Sequence, residues 1–94
     1  MVMIVGTLKM RLMVRESRSL KEKRRVISSL KDRIRSSFNV SVAEVESQDS
    51  HQQAVLGVAL VTNEKRFAQE ILGQVVNMVR SHPVAQLLDY EVET

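Results

Sequence analysis

The first fourteen residues, MVMIVGTLKMRLMV, alternate between apolar and polar positions. Residues 2 to 14 therefore have the two-residue period of a β-strand. One face of this strand would carry the apolar side chains of Ile4, Leu8, Met10, Leu12 and Val14. The opposite face would carry Thr7, Lys9, Arg11, Met13 and Arg15. The segment lacks a basic leader and the roughly 20 uninterrupted apolar residues of a membrane span, so we interpret it as a buried strand and not as an export signal.

The next segment of the chain, from Ser19 to Phe38, has the periodicity of a helix. Ser19 and Glu22 have the spacing of a capping box, in which the hydroxyl accepts from the Glu22 amide and the carboxylate reaches back to the Ser19 amide. Apolar residues then recur at helical spacing as far as Phe38, namely Leu20, Ile27, Leu30 and Ile34. A first helix is predicted to begin at Ser19 and to end near Phe38.

The second half of the chain predicts two strands, a helix and a last strand. NVSVAEVES and QAVLGVALVTN are rich in valine and are separated by the polar run SQDSHQ, which is typical of a hairpin. A second helix is predicted from Asn63 and Glu64 until His82 and Pro83 end it. Its apolar stripe would consist of Phe67, Ala68, Ile71, Leu72, Val75 and Val79. VAQLLDYEVE is the predicted fourth strand.

The element order βαββαβ predicts an α+β, ferredoxin-like fold: a four-stranded antiparallel sheet with two helices on one face. The first and third strands would be central, with the last strand beside the first. A chain of 94 residues with 44% apolar content has room for one core, so residues 1–94 are expected to form a single domain. With no cysteine there are no disulfides, which favours a cytoplasmic location.

Charge is unevenly distributed along the chain. Residues 1 to 38 carry a net charge of +8, and residues 39 to 94 carry −5. On the predicted first helix, one arc of roughly 120° carries five basic side chains. These are Lys21, Arg24, Arg25, Lys31 and Arg35. Like charges four residues apart weaken a helix slightly, so this arrangement favours a face that meets a polyanion, although a merely solvated face is an equal alternative.

Structured RNA, contacted through charge and shape, remains open as the polyanion that this helix meets. The same strand order occurs in RRM domains, which stack bases on aromatic residues of the central strands. Here the only aromatic residues are Phe38, Phe67 and Tyr90, so the composition disfavours sequence-specific reading of single-stranded RNA by the sheet. On the strands, Asp89, Glu91 and Glu93 are expected to pair with Lys9, Arg11 and Arg15 and to leave these cations without need of an external partner.

Lys23 differs from the other cations because it projects into the apolar arc beside Leu20, Ile27 and Leu30. The more common outcome is that such a side chain snorkels to the edge of the core. The alternative is a specific ion pair, with Glu44 or Glu46 as the partner.

The sheet face away from the helices is expected to be apolar in part. Its candidate residues are Met3, Val5, Met13, Val45, Val55 and Val61. Such a patch favours a homodimer or a protein partner, whereas bulges that turn these residues inward are the alternative.

Candidate catalytic chemistry is sparse. Glu44, Glu46, Asp49 and His51 lie near the predicted hairpin, but their spacing matches no specific metal site, and no nucleophile–base pair is visible. We therefore expect a non-enzymatic protein with no metal and no cofactor. His82 is expected to cap the end of the second helix through its terminal carbonyls, while Gly57 and Gly73 are expected to mark close packing.

The motifs SLKEKR, FNVSVAEV and AVLGVALV resemble those of the YlxP-like proteins, small bacterial proteins of unknown function, and the resemblance covers essentially the whole chain. It implies a ferredoxin-like fold and a gene neighbourhood among translation initiation and ribosome-maturation factors. The matching positions are Leu20, Lys21, Lys23, Arg24, Asn39, Val42, Glu44, Asp49, Gln52 and Gly57. The chain departs from the family in the hairpin, where DSHQQA replaces a pattern like DLWQRA, so that Ser50, His51 and Gln53 stand for a leucine, a tryptophan and an arginine.

Together these observations predict a binding module that contacts structured RNA or a ribosomal particle through its basic first helix. The alternative is a homodimeric protein-interaction adaptor that uses the open sheet face.

Overall fold

The computed structural model describes residues 1–94 as one four-stranded antiparallel sheet with two helices. The elements are β1 (Ile4–Met13), α1 (Leu20–Ser37), β2 (Ser41–Glu46), β3 (Gln53–Thr62), α2 (Lys65–Arg80) and β4 (Gln86–Glu93). The strand order is β2-β3-β1-β4. The ferredoxin-like fold is confirmed, with β1 and β3 central and β4 antiparallel to β1. Neither helix has the length and apolarity to cross a membrane.

The capping box at the start of α1 forms in a modified way. Ser19 Oγ accepts from the Glu22 amide at 3.1 Å, as predicted. The Glu22 carboxylate instead accepts from the Arg18 amide at 2.7 Å, so the expected bond to the Ser19 amide was wrong. The helix ends when Phe38 becomes extended, and the Phe38 amide donates to Ile34 O. The bond to Ser19 Oγ satisfies the Glu22 amide, and the bond from the Phe38 amide satisfies the Ile34 carbonyl. A helix end otherwise leaves such backbone groups without a partner.

The core lies between the sheet and the helices. It contains eighteen buried residues, among them the predicted β1 face of Leu8, Met10, Leu12 and Val14. In α2 the buried stripe includes Val76, which the sequence pattern missed, whereas Phe67 is 48% exposed and is not part of the core. The stripe is therefore shifted toward the middle of α2, because Phe67 lies at the first turn of the helix.

Close packing between α2 and β1 depends on a glycine that was not singled out. A Cβ on Gly6 would lie 3.1 Å from Leu72 Cδ1 and 3.2 Å from Ala68 Cβ, so the helix approaches β1 where no side chain intervenes. The prediction for Gly73 was wrong, since a Cβ there would have no atom within 4 Å.

Candidate nucleic-acid interface

The basic arc, defined as Lys21, Arg24, Arg25, Lys31 and Arg35, lies on the outer side of α1. Lys31 is half-buried and the other four side chains are exposed. Lys21, Arg24, Arg25 and Lys31 form no salt bridge with the chain's own carboxylates. From Lys21 to Arg35 the arc extends about 21 Å along the helix axis, at 1.5 Å per residue. The structure therefore leaves four of these five cations available to a bound anion.

Arg35 is the member of the arc that is already engaged. Its guanidinium lies 3.3 Å from the Asp32 carboxylate, and it donates to Val42 O of β2 at 3.1 Å. This second bond ties the last turn of α1 to β2, which places the basic arc along the β2 edge of the sheet. Arg35 thus has a structural role besides its charge.

Lys23 is fully buried, at 0% exposure. Its Nζ lies 2.9 Å from Glu44 Oε2, so the structure forms the predicted ion pair with Glu44. Nζ also donates to the carbonyls of Ser47 at 2.9 Å, Gln53 at 3.1 Å and Gln48 at 3.4 Å. Snorkelling, the outcome favoured from the sequence, was wrong, because the carbonyls of the β2–β3 loop supply the hydrogen bonds that water would otherwise provide.

The β2–β3 loop, residues 47–52, is shaped around this ammonium group. Ser47 has a φ of 64°, the left-handed conformation that favours glycine, and its carbonyl faces Lys23. Gln52 connects the loop to the segment before α1: its Nε2 donates to Arg15 O at 2.8 Å, and its carbonyl accepts from the Val14 amide at 2.7 Å. The β2–β3 loop is therefore stabilised by three residues that are distant in sequence, namely Lys23, Glu44 and Gln52.

The strand cations are paired, but only one of the three pairs follows the expectation. Arg11 makes the predicted contact with Asp89, at 2.7 Å, and this guanidinium lowers the pKa of the Asp89 carboxyl. Lys9 is in register with Glu91 but bonds to Glu46 instead, at 2.9 Å.

The bond between Lys9 and Glu46 crosses the central strand β3. Gly57 of β3 lies opposite Lys9 in the β1–β3 register. The hydrogen bond that Lys9 donates to the Glu46 carboxylate raises the pKa of Lys9. The third predicted cation, Arg15, donates to the Gln86 amide oxygen at 2.7 Å and leaves Glu93 without a cation partner.

The open sheet face is only partly as predicted. Met3, Val5, Val45 and Val61 are exposed, Met13 is half-buried, and Val55 is buried at 4% exposure. Val55 points to the open face, where its cross-strand neighbours are two long side chains, Arg11 of β1 and Glu46 of β2. Its assignment to an exposed partner face was therefore wrong.

The same face carries an open depression of about 430 Å³. Small residues form its floor, and a Cβ on Gly57 would lie 3.0 Å from Val45 Cγ1, so Gly57 marks the close packing predicted for it. Ser41, Ala43, Gly57 and Ala59 line the floor, and Lys9, Glu91 and Glu93 line the rim.

The acidic residues near the hairpin do not converge into a site. Glu44 pairs with Lys23 and Glu46 pairs with Lys9, while Asp49 and His51 are exposed in the loop. No three His, Asp or Glu side chains lie close enough together to hold a metal ion. Two of the candidate ligands, Glu44 and Glu46, thus serve as partners of lysines.

His82 caps the segment after α2 in a different way from the prediction. Its Nδ1 accepts from the amides of Val84 at 3.2 Å and Ala85 at 3.1 Å, whereas a terminal helix carbonyl, Val79 O, accepts from the backbone amide of His82 at 3.0 Å and not from the ring. The reason is that α2 ends at Arg80, and the chain then turns so that the following amides face the ring. Partial burial and the charge of Arg33 lower the pKa of His82.

Comparison with known proteins places the chain among proteins without an assigned activity. A family model described as "Protein of unknown function (DUF503)" matches residues 5–92. The "Uncharacterized protein YlxP" of Bacillus subtilis (strain 168) is 30% identical over 80 residues, which covers 85% of this chain and 87% of that protein.

Proposed function

The chain belongs to the DUF503 family of proteins of unknown function, and from this premise we propose that it is a non-enzymatic module that binds structured RNA, free or within a ribosomal particle, through the basic arc of α1. The observation that carries this proposal is the absence of internal carboxylate partners for Lys21, Arg24, Arg25 and Lys31. The strand cations Lys9 and Arg11, by contrast, are neutralised by Glu46 and Asp89.

The position of the arc also supports phosphate binding. α1 packs along the β2 edge, whereas the acidic residues of β4 lie at the opposite edge of the sheet. An approaching polyanion therefore meets the cations of α1 without passing the carboxylates of β4. Binding of this kind comes largely from the release of counterions from phosphates, and it depends on the shape of an RNA more than on its sequence.

The test is the affinity for a labelled RNA hairpin and for ribosomal subunits at about 50 and 200 mM salt. If four phosphates are contacted, affinity should fall on the order of 100-fold over this range. A variant with Lys21, Arg24, Arg25 and Lys31 changed to Gln should lose most of the binding and most of the salt dependence. Arg35 is left in place because it also bonds to Val42 O.

The matched control removes four exposed cations outside the arc, namely Arg33, Lys65, Arg66 and Arg80. This control variant has the same net charge as the arc variant. It should retain most of the affinity for RNA if the position of the cations determines binding. Equal losses of affinity in the two variants would show that binding depends on net charge and not on the position of the cations. Absence of binding by the unaltered protein at low salt would refute the proposal.

A second candidate function, homodimerisation through the open sheet face, is favoured by the exposure of neighbouring valines. Val5 and Val61 are cross-strand partners and are 50% and 67% exposed. They adjoin the floor of small residues in the open depression, so a second copy would cover apolar surface that water otherwise contacts. This face lies on the side of the sheet opposite α1, so both functions are compatible.

Dimerisation is tested by sedimentation over a range of protein concentrations. We expect a dimer whose dissociation increases strongly in the double variant Val5→Glu/Val61→Glu, with circular dichroism showing that the fold is retained. Val84→Glu, which changes a valine of similar exposure outside the sheet, should leave the dimer intact. A protein that stays monomeric at every concentration would eliminate this candidate.

A further inference from the structure

The two edges of the sheet differ in how their backbone groups are covered. Along β2, Arg35 donates to Val42 O at 3.1 Å and Gln48 Nε2 donates to Glu44 O at 3.3 Å. Residues two apart in a strand direct their backbone groups to the same side, and here that side faces away from β3. Side chains of the same chain thus occupy the outer carbonyls of β2, which is one way in which proteins protect an edge strand.

The β4 edge has no such cover. No side chain hydrogen-bonds to the backbone of Gln86–Glu93, and all but one of these residues are exposed. The register shift beside Arg11 places a bulge at Leu88, so the regular part of the edge runs from Asp89 to Glu93. This stretch presents a row of backbone donors and acceptors to solvent.

Side chains along this stretch alternate in chemistry. Asp89, Glu91 and Glu93 point to the open face, opposite Arg11, Lys9 and Thr7 of β1. Tyr90 and Val92 point to the helix side and remain 44% and 40% exposed. Arg80 lies 5.8 Å from the centre of the Tyr90 ring and covers part of it.

The negative charges along β4 determine which strands can pair with its outer edge. A second copy pairing β4 with β4 in antiparallel fashion would place carboxylates of Asp89, Glu91 and Glu93 opposite one another, and like charges directly opposite are destabilising. Glu91 and Glu93 have no salt bridge within the chain and are available for opposite charges.

The chain itself shows the complementary pattern on the inner side of β4. In β1, Lys9 and Arg11 face the acidic row, while Leu8 and Met10 lie opposite Val92 and Tyr90. A strand in which basic and apolar residues alternate therefore already pairs with β4 on one side. The outer side presents the same two rows of side chains.

We propose that the outer edge of β4, residues 89–93, binds an extended segment of a partner protein in which Lys or Arg alternates with apolar residues. The backbone of the segment continues the sheet, its basic side chains contact Glu91 and Glu93, and its apolar side chains cover Tyr90 and Val92. This is strand addition at a sheet edge, with main-chain hydrogen bonds for affinity and alternate side chains for specificity.

The test uses a labelled nine-residue peptide of alternating Lys and Val, with blocked ends. Its affinity is measured by fluorescence anisotropy, and its position by hydrogen exchange of the backbone amides. We expect protection of amides within residues 89–93 and no change along β2. Changing Glu91 and Glu93 to Gln should weaken binding about 2- to 30-fold, the loss expected for two cross-strand charge pairs.

Three matched controls accompany this measurement. The variant Asp49→Asn/Glu64→Gln changes net charge equally at exposed positions away from β4 and should bind normally. A peptide of the same composition with its Lys residues in one block should bind less well, as should one N-methylated at alternate amides. The proposal is overturned if no binding occurs at millimolar peptide, or if the Glu91/Glu93 variant binds the peptide as tightly as the unaltered protein does. It is also overturned if the methylated peptide binds as tightly as the unmethylated one, or if the peptide protects backbone amides of β2. Concentration-dependent protection of residues 89–93 without peptide would also overturn it, by making a second copy the occupant.

Discussion

Lys23 is the one charged residue that this fold removes completely from water. A buried ammonium group is stable only when its hydrogen bonds are satisfied, and here Glu44 and the loop carbonyls satisfy them. The sequence marks Lys23 as unusual because a cation falls within an apolar arc. Its partners come from residues 21 to 30 positions away, so the spacing within the helix does not indicate them.

Replacement of Lys23 by Met should destabilise the protein by about 3–5 kcal/mol, because Glu44 and the loop carbonyls would be left buried without a partner. The volume of the side chain is nearly retained, so the loss would report hydrogen bonding and charge. Urea denaturation measures the free energy of unfolding. Lys21→Met, on the exposed side of the same turn, should change it by less than about 0.5 kcal/mol. Similar small effects at both positions would contradict the role assigned to Lys23.

His82 makes stability dependent on pH. Its Nδ1 accepts two amides only when that nitrogen carries no proton, and the pKa of the folded state is lowered from about 6.5, the ordinary value. The unfolded state therefore takes up a proton first as the pH falls, so stability is present above about pH 6.5 and decreases as the pH falls through the folded pKa.

The variant His82→Asn isolates this effect because the amide oxygen of Asn can accept the same bonds without titrating. Melting temperatures measured between pH 7.5 and 5 should decrease less in the variant than in the unaltered protein. Parallel pH profiles would show that His82 does not contribute.

At the scale of the elements, Gly6 and Gly73 occupy two different kinds of backbone position, one closely packed against another element and one not. Gly6 lies where α2 contacts β1, whereas Gly73 lies within α2 at a position where a Cβ would have no neighbouring side chain within 4 Å. The sequence pattern alone presents both as isolated glycines inside regular elements. Which of them is required depends on the distance between a helix and a strand that are far apart in the chain.

Gly73→Ala should stabilise the protein by about 0.5–1 kcal/mol, since alanine restricts the unfolded chain and meets no obstruction in the helix. Gly6→Ala should destabilise it, because the new Cβ would lie 3.1 Å from Leu72 and 3.2 Å from Ala68. Thermal unfolding of the two variants provides the comparison. Opposite signs are expected, and destabilisation by both changes would contradict the packing described for α2.

Across the whole molecule, the sheet order places the basic arc of α1 and the acidic strand β4 at opposite edges. The strand order places β2 and its neighbouring α1 at one edge and β4 at the other. The two surfaces proposed for binding, the basic arc and the outer edge of β4, are therefore on different sides of the protein. One anionic and one cationic partner can be bound without competing for the same residues.

The single core also predicts the mode of unfolding. Eighteen buried residues form one cluster, which draws on every element except β4 and includes Ala85 just before that strand, so the domain of residues 1–94 should unfold in one step. Helix content followed by circular dichroism and the fluorescence of Tyr90 on β4 should give the same urea midpoint. An earlier transition of Tyr90 would show that β4 detaches from a core that remains folded.

Much of the fold was predictable because local periodicity reports which face of an element is buried. The alternation in β1, the stripe of α1 and the element order were sufficient for the topology, and the basic arc followed from the same helical spacing. Element ends were less certain: the Glu22 carboxylate, for example, contacts the amide before the expected one.

Periodicity assigns a side chain to a face, but it does not show what covers that face. Val55 points to the open side as its position in the strand implies, yet it is only 4% exposed, with Arg11 and Glu46 as its neighbours on the adjoining strands. Lys9 bonds to Glu46 across β3, and not to Glu91, its neighbour in the β1–β4 register. The chain pattern is sufficient for the elements and their faces, whereas ion partners, protected edges and exposed surfaces depend on contacts between distant segments, which form only when the sheet assembles.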